Sequence, residues 1–90
     1  MKGFEWLVKE MSNRNNASIR RGFHSSQVIV EFDNNYSASV INDGYGSELG
    51  LYEVAALYCG ELKGDVTGYL SKGDVVRACN KIEALNENDL

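Results

Sequence analysis

From Tyr36 to Leu85 the chain passes through strand, glycine-rich loop, strand, turn, short strand and capped helix, with no gap in the pattern. That order leaves little choice of fold. Alternating β-branched and aromatic residues punctuated by Gly and Asn require an antiparallel sheet, and the closing amphipathic segment requires a helix laid upon it. The chain has no proline, so its turns rest on Gly, Asn and Asp, which tolerate the left-handed backbone of tight hairpins.

The strands are read as follows. Gln27-Val28-Ile29-Val30-Glu31-Phe32 predicts a strand with Val28, Val30 and Phe32 towards the core and Ile29 on the other face. Asp33-Asn34-Asn35 is turn chemistry. Tyr36-Ser37-Ala38-Ser39-Val40-Ile41 is its hairpin partner, with Tyr36, Ala38 and Val40 inward. After the loop Asn42-Asp43-Gly44-Tyr45-Gly46-Ser47, Leu49 to Tyr58 predicts a third strand. A helix competes there, because Leu51, Val54, Ala55 and Tyr58 fit a helical stripe, but the flanking glycines and the Cys59-Gly60 turn favour the strand. Glu61-Leu62-Lys63 reads as a short edge strand interrupted by Gly64-Asp65.

Two helices bracket these strands. Phe4, Leu7, Val8 and Met11 recur at the spacing of a helical stripe, fading in the polar run Ser12 to Asn16. Residues 17–25 are polar and basic and read as a connecting loop. Ser71 is a natural N-cap with Asp74 three residues later, and Val75, Cys79 and Ile82 form a stripe to bury. The expected fold is one small α+β domain over residues 1–90, in the order α-β-β-β-(β)-α. Residues 1–25 hold the helix and basic loop, 26–70 a three- to four-stranded antiparallel sheet, and 71–86 the second helix. Both helices are expected on one face of the sheet.

Composition narrows the functional classes. A chain of 90 residues buries only roughly 60–65% of its unfolded surface, leaving little room for a deep active site. Two cysteines, Cys59 and Cys79, are too few for a disulfide framework. Buried free thiols are the expected reading, although one bridge is geometrically possible. With one histidine and no ligand pair at metal spacing, neither a zinc site nor a cofactor is expected. No apolar run approaches ~18 residues, and the first residues lack a signal-peptide pattern, so a soluble cytoplasmic protein is expected.

Charge is unevenly distributed. Residues 1–30 carry +3 and residues 31–90 carry −7, within a net charge of −4. The acids Glu31, Asp33, Asp43, Glu48, Glu53, Glu61 and Asp65 fall on the sheet and its loops, which could face a basic partner; a plain solvated surface is the simpler explanation.

The chemical motifs are weak beside their structural readings. Gly44-Tyr45-Gly46 lacks phosphate-loop spacing and precedes a strand, so a recognition loop displaying Tyr45 fits better than a phosphate cradle. His24 sits beside Ser25 and Ser26 with no carboxylate to orient it, as a surface histidine would. Glu31 and Asp33 would share a strand face, yet acid–base work needs burial to separate their pKa values. Arg20-Arg21-Gly22-Phe23 mixes charge and an aromatic, a thin footprint for nucleic acid.

The blocks Tyr36-Ser37-Ala38-Ser39-Val40-Ile41, Leu51-Tyr52-Glu53-Val54-Ala55-Ala56-Leu57, Asp65-Val66-Thr67-Gly68-Tyr69-Leu70 and Ser71-Lys72-Gly73-Asp74-Val75 stand in a characteristic order. Over residues 36–85 the chain resembles small uncharacterised proteins encoded by tailed bacteriophages and prophages. The resemblance implies a phage source and a size class, and it supplies no catalytic residues. Small acidic phage proteins commonly block host machinery, so the resemblance implies a non-catalytic inhibitor of a host protein or ribonucleoprotein defence complex, with anti-CRISPR activity the leading version. Its expected contact residues are Glu31, Asp33, Asp43, Tyr45, Glu48 and Asp65. It would act as a monomer or homodimer, without small-molecule substrate, membrane or direct nucleic-acid binding. The alternative is a regulatory or nucleic-acid-binding protein using Lys9, Arg14, Arg20 and Arg21; a structural phage component comes third, and an enzyme last.

Overall fold

A computed structural model describes residues 3–86. The elements are α1 (Glu5–Met11), β1 (Ala17–Arg21), β2 (Gln27–Phe32), β3 (Tyr36–Ile41), β4 (Tyr52–Tyr58), β5 (Glu61–Leu70) and α2 (Lys72–Glu83), with a 3-10 turn at Ser47–Leu49. All five strands are antiparallel neighbours in the order β1-β2-β3-β4-β5. The fold is the expected α+β domain with a helix at either end.

The alternation sets one face of the sheet against both helices. Val28, Val30 and Phe32 of β2, Tyr36, Ala38 and Val40 of β3, and Tyr52 and Val54 of β4 form one buried cluster with Phe4, Leu7 and Met11 from the α1 side and Val75, Cys79 and Ile82 from α2. In β2 and β3 these are the inward residues that period-two reading selects, and in the helices those of the helical stripes. Ile29, on the other face, is only 1% exposed.

Local chemistry fixes the ends. Ser71 Oγ accepts from Asp74 N at 3.2 Å, and Asp74 carboxylate accepts from Ser71 N at 3.1 Å, completing a capping box. At the other end of α2, Asn34 Nδ2 donates to the carbonyls of Ile82, Glu83 and Leu85, each at 3.0 Å. Ile82 and Glu83 lie in the last turn of α2, where carbonyls lack the intrahelical i+4 donor, and Ile82 O also accepts from Leu85 N at 3.1 Å, so the β2–β3 turn also serves as a C-terminal cap. In the same turn Asn35 takes φ 69.

Three of the expected elements need correction. The basic segment read as a loop contains β1, whose Ile19 pairs with Val30. With only Ala17 and Ile19 as its apolar residues, this strand falls below sequence-level detection and is supplied by pairing to β2. The third strand begins at Tyr52 rather than Leu49, since the 3-10 turn takes the preceding residues. Gly64-Asp65 does not end the edge strand. Between Ala56↔Lys63 and Val54↔Thr67, and again before Tyr52↔Leu70, the register shifts, so β5 continues through bulges.

Cys59 and Cys79 are both free, but only Cys79 is buried. Cys59 occupies the β4–β5 turn with φ 49, beside Gly60 at φ 87, a pair of left-handed residues that a two-residue hairpin demands. A turn tip cannot bury a side chain. Among the described residues no helix is long and apolar enough to cross a membrane.

Candidate binding surface

The loop from Asn42 to Leu51 is held from two sides. Glu53, on β4, accepts a hydrogen bond from Tyr45 N at 2.8 Å. Gly44 is a glycine because a Cβ there would collide with that carboxylate. On the other side Tyr45 O accepts from Tyr69 N at 3.2 Å, joining the loop to the bulged end of β5. A Cβ on Gly68 would lie 2.9 Å from Tyr45 Cβ, and one on Gly46 would lie 3.0 Å from Tyr69 Cα and Cδ1. Two glycines thus let two tyrosine-bearing backbones close on each other.

Tyr69 has φ 58, a left-handed conformation that is strained for a bulky side chain. The fold accepts this strain and leaves the ring in solvent. Tyr45 is 73% exposed, Leu49 68% and Tyr69 57%. Large apolar side chains displayed together on a loop held in place are unusual on a free surface and mark interaction sites. Asp43 and Glu48, both exposed, lie on the same loop.

The six expected contact residues are all exposed, but they do not lie together. Asp43, Tyr45 and Glu48 share the loop. Glu31 and Asp33 lie by the β2–β3 turn, at the opposite end of β3, a separation of roughly 20 Å for a six-residue strand. Glu31 pairs with Arg20 at 3.1 Å, and Asp65 sits in the β5 bulge. Glu53, read as part of the acidic surface, is the loop's anchor.

Sequence reading missed Leu49, Gly68 and Tyr69. Gly68 before an aromatic in a strand-like run was the available signal, since an isolated glycine there marks a bulge or a close backbone approach. His24 is exposed and accepts from Ser26 N at 3.3 Å, within its own turn. Among the described residues no group of three or more His, Cys, Asp or Glu could hold a metal ion.

The fold and this surface define a small α+β domain with an aromatic, acid-flanked patch at one end of its sheet. Comparison with protein-family models, curated proteins and solved structures gives no match for the chain.

Proposed function

We propose that this protein works by stoichiometric, non-catalytic binding, as a phage inhibitor of a bacterial host defence complex, with a CRISPR ribonucleoprotein as the specific target. The observation that carries the binding role is the display of Tyr45, Leu49 and Tyr69 on a loop and bulge that are tethered by hydrogen bonds from two sides, with a strained backbone at Tyr69. Aromatic anchors within a charged rim are the usual source of affinity at a protein interface. A loop already fixed in place loses little entropy on binding. Asp43 and Glu48 beside these anchors favour a basic partner surface. The phage setting and the defence target rest on the resemblance over residues 36–85.

The nucleic-acid-binding alternative is weakened by how the cations are used. Arg14 is paired with Glu83 at 2.8 Å and Arg20 with Glu31 at 3.1 Å, so two of the basic side chains it needs are already committed within the fold.

The test is to express the chain in bacteria with an active CRISPR system and challenge them with a targeted phage. Restored plaque formation is expected with the native chain and its loss with Tyr45→Ala. Full immunity in both strains, at equal protein levels, would refute the CRISPR target.

A further inference from the structure

The two edges of the sheet are built differently. Strand β5 is blunted as exposed edges usually are: register shifts break its line, Gly64 takes φ 75, and Lys63 sets a charge opposite Ala56. Strand β1 carries none of these devices. It pairs with β2 without a break from Ala17↔Phe32 to Arg21↔Val28, so its outer side is a straight row of backbone groups.

The hairpin closure fixes which groups those are. Gly22 N donates to Gln27 O at 2.9 Å, and opposite residues of an antiparallel pair alternate between bonded and unbonded. Ser18 and Arg20 therefore bond to β2, while Ala17, Ile19 and Arg21 turn their N–H and C=O outward. Among the described residues these outward groups meet one partner, the Arg20 guanidinium, which donates to Arg21 O at 3.2 Å. At one end of the row stands Phe23, 91% exposed. At the other lies an open depression of about 350 Å³ bordered by Asn15, Asn16, Ala17, Ser18 and Phe32.

We infer that a second copy of this chain pairs at this edge, β1 against β1 and antiparallel, about a two-fold axis at Ile19. Ile19 then exchanges both of its bonds with its own likeness, and Ala17 and Arg21 exchange theirs. This register uses the whole strand, and it sets Arg20 opposite Ser18 and Arg21 opposite Ala17. Moving the axis one residue, to Arg20, would face that arginine with itself. The two ends of the row select a second copy over a foreign strand. A two-fold contact brings each feature against its counterpart on the other copy, and counting outward from Ile19 puts Phe23 of one copy against Asn15 of the other, at the rim of the depression. Each copy thus supplies both the aromatic ring and the hollow that receives it. The sheet becomes continuous through both copies, with the bulged β5 strands closing its ends. The loop patches sit at those far edges and stay free, so the inference stands or falls apart from the proposed binding role. A contact this short belongs to the weak, reversible class of interfaces.

The test is sedimentation velocity of the full chain from about 10 μM to about 1 mM, with amide hydrogen exchange at both ends of that range. A reversible monomer–dimer equilibrium is expected, in which the Ile19 and Arg21 amides gain protection as concentration rises while the Arg20 amide is protected throughout. Arg21→Pro removes an outward N–H and no bond to β2, the one setting in which a strand tolerates proline. Phe23→Ser removes the ring and leaves the monomer's core alone. Each variant should raise the dissociation constant about tenfold or more with the melting temperature of the dilute protein unchanged; if Arg21→Pro does not fold, Phe23→Ser decides. A monomer at about 1 mM would overturn the inference, as would a dimer whose Ile19 amide stays unprotected. A dimer that keeps its dissociation constant in Phe23→Ser, or that dissolves in Tyr45→Ala/Leu49→Ala, would place the contact elsewhere and overturn it too.

Discussion

Tyr69 is where backbone preference and surface chemistry pull in opposite directions. Its φ of 58 disfavours any residue with a Cβ, so Tyr69→Gly should be more stable than Tyr69→Ala by about 1 kcal/mol. In an ordinary strand the order would be the reverse. Denaturant unfolding of the two variants measures the difference, and equal stabilities would mean that the bulge is unstrained. Cys79 makes a separate prediction. Burial pushes its thiol from an ordinary 9.0 up to about 11, against a smaller opposing pull from Arg14. The unfolded chain ionises first, so this contribution to stability is complete below pH 9 and is lost as pH rises towards 11. Cys79→Ala should flatten the decline of stability over that range. A decline of unchanged slope would place the cause in other groups. Only one of these was legible beforehand. The helical stripe pointed to a buried Cys79, but a left-handed tyrosine leaves no mark in hydrophobic period.

At the scale of elements, α2 is fastened at both ends, and the two fastenings differ in how visible they are. Ser71 and Asp74 lie three residues apart, so their capping box can be read directly from sequence. The backbone and hydroxyl of Ser71 and the guanidinium of Arg77 hold the Asp74 carboxyl below its ordinary value. The cap is therefore complete above the usual carboxylate range and fades as pH falls below it. Asn34 caps the other end from 48 residues away in sequence, and nothing local distinguishes it from a turn asparagine. The Arg14–Glu83 pair that joins the end of α1 to α2 is equally remote, 69 residues apart. Ser71→Ala and Asn34→Ala should each cost about 1 kcal/mol by chemical denaturation, and Asn34→Asp should be no better than alanine because it lacks the donor. Wild-type stability in Asn34→Ala would mean that those carbonyls find other partners. The strand pattern was legible where apolar residues alternate, as in β2 and β3. It failed in β1, where pairing rather than composition makes the strand, and in β5, where bulges break the period.

At the scale of the whole molecule, the chain's charge separation is partly neutralised by folding. Arg14 and Arg20, from the basic end of the sequence, pair with Glu83 and Glu31 from the acidic end. The acids expected to act together are divided between the two ends of the sheet. What folding assembles is an apolar patch drawn from the loop after β3 and the end of β5, with Asp43 and Glu48 beside it. The proposed binding role rests on this patch and not on the acidic surface as a whole. The most direct measurement is quantitative affinity capture from a bacterial lysate, comparing the native chain with Tyr45→Ala/Leu49→Ala and with Glu31→Lys/Asp33→Lys, all checked for equal melting temperature. The native chain and the Glu31/Asp33 variant are predicted to retain one partner complex in stoichiometric amount, and the Tyr45/Leu49 variant to lose it. Capture that survives in the Tyr45/Leu49 variant but fails in the Glu31/Asp33 variant would contradict the account.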